Sequence, residues 1–134
     1  RALTEIAGSS AWFDRGFVTY SNHAKIELVG VSAATLATHG AVSEPTAAEM
    51  AAGGLARSHA GLAMSVTGIA GPGGAVPGKP VGTVCFGWAL SPGLQEAVGA
   101  PALVTATCHF DGDRESVRRQ AVVFALEELL RRYR

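Results

Sequence analysis

Hydrophobic and polar positions along the chain alternate with two different periods, and each period marks out its own set of elements. Phe17-Val18-Thr19-Tyr20 is a short β-favouring run that follows a loop through Ser9 and Ser10 and on to Gly16. Ser21 or Asn22 caps the next helix, which carries Ile26, Leu28 and Val29. Ser32 caps a further short helix ending near Gly40, and Ser43-Glu44-Pro45 opens a longer, alanine-rich one through about His59. Leu62-Ala63-Met64-Ser65-Val66 reads as a buried strand running directly into the turn Thr67-Gly68-Ile69-Ala70-Gly71-Pro72-Gly73-Gly74.

A second strand is expected over Val81 to Leu90, then a Pro/Gly-containing connection from Ser91 to Pro101. In the third, Ala102 to Phe110, Val104, Ala106 and Cys108 alternate with Thr105, Thr107 and His109. Asp111 or Asp113 caps a final helix on which Val117, Ala121, Phe124, Leu126 and Leu130 recur near helical spacing. Its basic end, Arg131, Arg132 and Arg134, complements the negative pole of the helix dipole and is read as structural. Mixed helices and strands of this kind predict an α/β sandwich, with the second and third strands pairing as a hairpin across the long connection. At the start, Arg1 to Ala7 is helix-like and stopped by Gly8, and it reads as a chain lacking its beginning.

Composition narrows the function classes. With 134 residues, 48% of them hydrophobic, one domain spanning 1–134 is expected, with a core that needs neither disulfide nor metal. Eleven basic and eleven acidic side chains cancel, so no overall field draws the protein to nucleic acid or an anionic membrane, and any phosphate site must be local. No apolar run approaches the roughly 20 residues that span a bilayer. The two cysteines, Cys85 and Cys108, lie within strand-like stretches, which fits a reduced cytoplasm. His23, His39, His59 and His109 show no metal-ligand spacing, so no metal is assigned.

The residue types and their placement suggest where chemistry lies. A cap at Asn22 puts Lys25 in the first helical turn, where the dipole disfavours a cation and desolvation favours a neutral amine that works as a general base. Spacing by itself is more often that of a solvated lysine. Ser9 and Ser10 offer hydroxyls on a loop, and a serine beside a neutral lysine is a workable nucleophile, although Gly-Ser-Ser is more often plain turn chemistry. Tyr20 either stacks on a ring or is a half-buried core residue. A glycine-rich turn at the end of a buried strand, here Thr67 to Gly74, is where open α/β sheets hold ligands. Gly73 to Lys79 matches the spacing of a phosphate-binding P-loop, but Pro80 replaces its Ser or Thr and Pro77 removes an amide, so that reading is rejected. Arg114, at the amino end of the last helix, either reaches a phosphate or pairs with Asp111 or Asp113.

Ile6 through Phe13, Phe17 through Lys25, His39 through Glu44, Thr67 through Pro72, Lys79 through Val84 and Gly112-Asp113-Arg114 together resemble one family, in order, from Arg1 into the last helix. It is the CinA carboxy-terminal domain, the nicotinamide mononucleotide deamidases. The resemblance implies a three-layer α/β/α sandwich with a mixed β-sheet, usually a homodimer, and hydrolysis of the nicotinamide amide to nicotinic acid mononucleotide and ammonia without metal or organic cofactor. It implies a Ser/Lys pair with the lysine at Lys25 and Ser10 as the candidate nucleophile. Ser9, Tyr20, Asn22, Thr67, Gly68, Gly71 and Arg114 are the candidate substrate contacts. Family members also carry, upstream of the matching region, a helix and a strand leading to a Glu-Ser-Cys-Thr-Gly-Gly word, which this chain lacks and which holds a rival serine. The alternative to an amidase is a non-catalytic nucleotide-binding or regulatory domain; a cysteine amidase using Cys85, a residue with no histidine near it in sequence, is a remoter one.

Overall fold

A computed structural model describes all residues, Arg1–Arg134. The helices α1 (Asn22–Val29), α2 (Ala33–His39) and α3 (Glu44–Ala56) precede strands β1 (Leu62–Gly68) and β2 (Thr83–Leu90). A short helix α4 (Pro92–Val98), strand β3 (Leu103–His109) and the long helix α5 (Arg114–Tyr133) follow. The strands form one sheet in the order β1-β2-β3, and both pairings are antiparallel. The α/β class stands as the sequence indicates, and no parallel pair occurs among these three strands.

Strand β2 is buried along its whole length because helices cover both faces of the sheet. Alternate side chains of a strand point to opposite faces. Val84, Phe86 and Trp88 form one core with Val117, Ala121 and Ala125 of α5. Gly87 faces α3, where a Cβ would come within 2.6 Å of the Ala47 carbonyl oxygen, so the missing side chain lets helix and sheet approach closely. Ser65, opposite Gly87 in the register, closes that contact by donating to the same carbonyl at 2.6 Å. The layers are therefore α3, sheet, α5. A second cluster, Val29, Val31, Leu36 and Met50, fixes α1 and α2 to α3.

Caps delimit the helices. Ser21, not Asn22, caps α1, accepting from the Ala24 N–H at 3.0 Å, and Ser32, Ser43 and Asp113 cap α2, α3 and α5 in the same way. The connection expected between Ser91 and Pro101 contains α4, capped by Ser91 and stopped by Gly99 at φ 65°. Arg1 to Ala7 forms only a short 3-10 turn, Ala2–Thr4, too brief to be stabilised without an apolar face to bury. At the other end of the chain, Glu128 pairs with Arg131 and Arg132, and the Arg132 guanidinium lies 5.4 Å from the centre of the Trp88 ring.

Phe17 to Tyr20 departs from expectation in an instructive way. It forms no strand and pairs with none of the sheet, and Val18 and Tyr20 are 85% and 87% exposed. Between it and β1 lies a groove of about 670 Å³, lined mainly by apolar side chains from the Trp12–Tyr20 stretch, α3, β1 and α5.

Candidate active site

Lys25 sits in the first turn of α1 and is buried, with 5% of its surface exposed. Its ammonium donates to the carbonyl of Thr19 at 2.8 Å and more weakly to that of Tyr20 at 3.5 Å. Neither of these partners is a carboxylate. Burial lowers the Lys25 pKa from the usual lysine value, with no anion nearby to restore it. The solvated lysine that spacing favours is thus overturned by the docking of α1. Gly53 of α3 has no Cβ, and one there would fall on the Val29 carbonyl, so α1, the helix that carries the lysine, packs directly against α3.

The groove begins beside this lysine. Thr19 and Tyr20, which supply the two carbonyls, also line the groove, as does Ser65. Tyr20 presents its ring at the rim, placing it neither in the core nor at the end of a paired strand. Asn22 is the first residue of α1 and is exposed, free of the capping role. Ser9 and Ser10 lie on a second 3-10 turn, Ser9–Ala11, beside the groove wall formed by Trp12 and Phe13. The Ser9 carbonyl accepts from the N–H groups of Trp12 and Phe13. Ser10 is exposed, and the hydrogen bonds of Lys25 go to the two carbonyls and not to its hydroxyl.

A second set of expected residues meets at the other end of β1. Thr67 is buried and donates to the Ala41 carbonyl at 2.8 Å, tying the strand end to the loop before α3. Gly68 packs so tightly that a Cβ would come within 2.8 Å of a Val84 methyl group. Gly71, at φ 85°, holds a left-handed conformation, and its carbonyl accepts from Nη1 of Arg114 at 3.0 Å. Arg114 therefore reaches the glycine-rich turn rather than Asp111 or Asp113. This contact ties the amino end of α5 to the glycine-rich turn.

Two anchors escaped sequence reasoning. Glu44, at the start of α3, accepts from Thr105 at 2.6 Å and Thr107 at 2.7 Å, and these hydroxyls hold its pKa below the usual glutamate value. Their alternation along β3 was the available signal, but it does not name a partner 61 residues away. Lys79 donates to the His39 carbonyl, capping the carboxyl end of α2. Cys85 is buried mid-strand, and burial raises its thiol pKa, the opposite of what a nucleophilic thiolate needs.

The layered α/β fold thus positions a buried lysine, hydrogen-bonded to two carbonyls that border the groove, and, separately, an arginine fastened to the glycine-rich turn. Comparison with known proteins gives the chain its family. The profile of the CinA C-terminal domain matches residues 1–133, and the chain belongs to that family. It is similar to a protein from Enterobacter agglomerans named nicotinamide-nucleotide amidohydrolase PncC, 56% identical over 99% of this chain and 76% of the relative. A protein of the same name from Escherichia coli K12 is 50% identical over the same shares. Among solved structures, the competence/damage inducible protein CihA from Agrobacterium tumefaciens superposes with a TM-score of 0.88 at 46% identity, covering 99% of this chain and 76% of that one.

Proposed function

We propose that this chain is an amidohydrolase that hydrolyses the carboxamide of nicotinamide mononucleotide to nicotinic acid mononucleotide and ammonia. The observation that carries the reading is Lys25: a buried amine, hydrogen-bonded only to carbonyls, whose proton is loosely held. The names of the relatives from E. agglomerans and E. coli supply the substrate class.

In this scheme neutral Lys25 takes the proton of a serine hydroxyl as its oxygen attacks the carboxamide carbon. The resulting ammonium returns that proton to the departing nitrogen, ammonia leaves, and an acyl-serine ester remains. Water, deprotonated by Lys25, attacks the ester carbon, and the Lys25 ammonium gives that proton to the departing serine oxygen, which restores the hydroxyl and the neutral amine and releases the acid. Amides at Ser9-Ser10 or Thr67-Gly68 hold the oxyanion. Arg114 and the turn at Gly71 take the phosphate, Tyr20 meets the pyridine ring, and Asn22 borders the substrate at the start of α1. Ser10 is the hydroxyl this chain offers; the rival is the serine of the upstream word found in the family. The resemblance carries with it a homodimer in the cytoplasm, needing no cofactor.

Ammonia release from the mononucleotide tests the scheme. Loss of activity in both Lys25→Ala and Ser10→Ala supports the pair within this chain. Loss in Lys25→Ala alone assigns the nucleophile elsewhere, and near-normal release in Lys25→Ala overturns the mechanism. That Lys25 hydrogen-bonds to the Thr19 and Tyr20 carbonyls and not to Ser10 favours one second reading, a nucleotide-binding or regulatory domain. Calorimetry that shows mononucleotide binding without ammonia release selects it.

A further inference from the structure

The glycine-rich connection between β1 and β2 is fastened at both ends to one strip of backbone. That strip, His39-Gly40-Ala41, leads from α2 toward α3, and its three successive carbonyls accept no backbone N–H. Side chains take them instead. Lys79 Nζ donates to the carbonyl of His39, Thr46 Oγ1 to that of Gly40 at 2.7 Å, and Thr67 Oγ1 to that of Ala41 at 2.8 Å. With no backbone ladder to place it, the strip lies where these donors hold it. Two of the three bracket the glycine-rich segment: Thr67 precedes Gly68, and Lys79 follows Gly78.

Local sequence aims Lys79 at its target. Val76 and Lys79 are paired by two backbone hydrogen bonds, of 3.1 and 2.9 Å, around Pro77 and Gly78. Gly78 supplies the φ of 79° that such a turn requires after proline. On the receiving side Gly40 has φ 78°, and a Cβ there would stand 3.2 Å from Lys79 Nζ, so glycine leaves the lysine its approach. None of the ion pairs includes Lys79, and its contact is therefore a latch onto backbone. Other ties hold the rest of the segment. Arg114 takes Gly71 from the α5 side, and the N–H groups of Ile69 and Gly82 close the base at 2.9 and 2.8 Å. Pro72 to Gly78 is exposed, and its hydrogen bonds are confined to the Val76–Lys79 turn, so Lys79 is the tie that fastens this stretch to α2.

We propose that Lys79 is a positioning residue for the substrate site: its latch on His39 closes the glycine-rich segment into the shape that receives the mononucleotide's phosphate at Gly71 and Arg114. The identity of the ligand rests on the proposed function; the latch rests on the hydrogen bonds alone. The two are therefore tested by separate readouts.

Lys79→Met keeps most of the side chain and removes its donors, whereas Lys79→Arg restores a donor. Amide hydrogen exchange in the ligand-free chain is followed at Gly40, whose N–H ends α2, and at positions 76 and 79, whose N–H groups close the turn. In Lys79→Met exchange at these amides is expected to quicken at least about fivefold while the β1–β2 ladder keeps its rates. KM for the mononucleotide is expected to rise roughly fivefold with kcat changed by less than about twofold, and Lys79→Arg to bring exchange and KM back toward the wild type. Unaltered exchange in Lys79→Met overturns the latch, since a lysine that served only as a direct phosphate contact would leave the ligand-free chain as it was. Quicker exchange with KM unaltered overturns the positioning role and leaves the reaction standing. So does a rise in KM as large for the nucleoside without phosphate as for the mononucleotide. Absence of ammonia release from the wild-type chain strikes the reaction itself. Mononucleotide affinity measured by calorimetry then takes the place of KM, and an affinity equal in wild type and Lys79→Met overturns the positioning role.

Discussion

Lys25 Nζ lies 2.8 Å from the carbonyl oxygen of Thr19, six residues earlier, so the lysine and the Phe17–Tyr20 stretch, which joins no strand, are fastened to each other. The contact has two consequences, one for the proton and one for the groove. A carbonyl stabilises an ammonium far less than a carboxylate does, and burial penalises its charge. The same contact holds the Thr19–Tyr20 backbone at the groove wall.

The first prediction is a stability slope. The folded-state pKa of Lys25 is lowered, so between that value and the ordinary value of 10.5 the unfolded chain binds more protons than the folded one. Folding stability contributed by this group therefore rises with pH across that window and levels off above it. Lys25→Met keeps the bulk and removes the titration. The stability difference, wild type minus variant, measured by urea unfolding, is expected to increase as pH rises toward 10.5. A difference independent of pH would mean that the amine is not desolvated. Ammonia release by the variant is expected to fall about 10²-fold or more, the usual scale of general-base loss.

Glu44 supports the opposite edge of the sheet. Its pKa is lowered chiefly by the Thr105 hydroxyl and next by that of Thr107, so its contribution is complete above the ordinary value of 4.5 and is lost as pH falls through the folded value. Glu44→Ala is expected to cost about 1–2 kcal/mol near neutrality, below the full worth of two charge-assisted bonds because Thr107 is exposed. The cost is expected to shrink in acid. Denaturant midpoints at pH 7 and pH 3 check both statements.

Much of this architecture could be read from the chain because its cause is local. Ser32, Ser43 and Asp113 are caps within a few residues of the amides they satisfy, and the alternation in Ala102 to Phe110 follows the strand's own pleat. Gly71 and Arg114 were each marked by position at an element's end. What the sequence did not disclose depends on distant contacts. Lys25 is buried on a helix, α1, that packs onto α3 at Gly53, the Glu44 clasp spans two layers, and Phe17 to Tyr20 has strand propensity but no partner among these residues. Helix α4 was hidden by Pro92, Gly93 and Gly99, which read as loop residues although Pro92 starts the helix and Gly99 ends it.

Gly53→Ala tests the docking that buries the lysine. The added methyl would fall on the Val29 carbonyl, which is backbone and cannot swing aside, so α1 must move away from α3. A loss of about 1–3 kcal/mol is expected from overpacking. Because α1 carries Lys25, ammonia release is expected to fall as well, and its pH dependence to move toward that of an ordinary lysine. Gly93→Ala, where a Cβ meets nothing within 4 Å, is the matched control and is expected to leave both properties unchanged.

Arg114→Lys separates the phosphate role from a purely structural one. The guanidinium donates to the Gly71 carbonyl through Nη1, which leaves its other donors for a ligand at the amino end of α5. A lysine retains the charge and loses the planar fork, so binding of a phosphate should weaken while the reacting centre is untouched. Under the proposed reaction KM for the mononucleotide is expected to rise roughly tenfold with kcat little changed, the signature of binding lost equally from ground and transition states. The nucleoside without phosphate is the discriminating substrate. If Arg114 serves the phosphate, the variant and the wild type should handle that nucleoside equally. If Arg114 acts only by holding the Gly71 turn in place, the variant should lose as much on the nucleoside as on the mononucleotide, and the anion role would have to be given up.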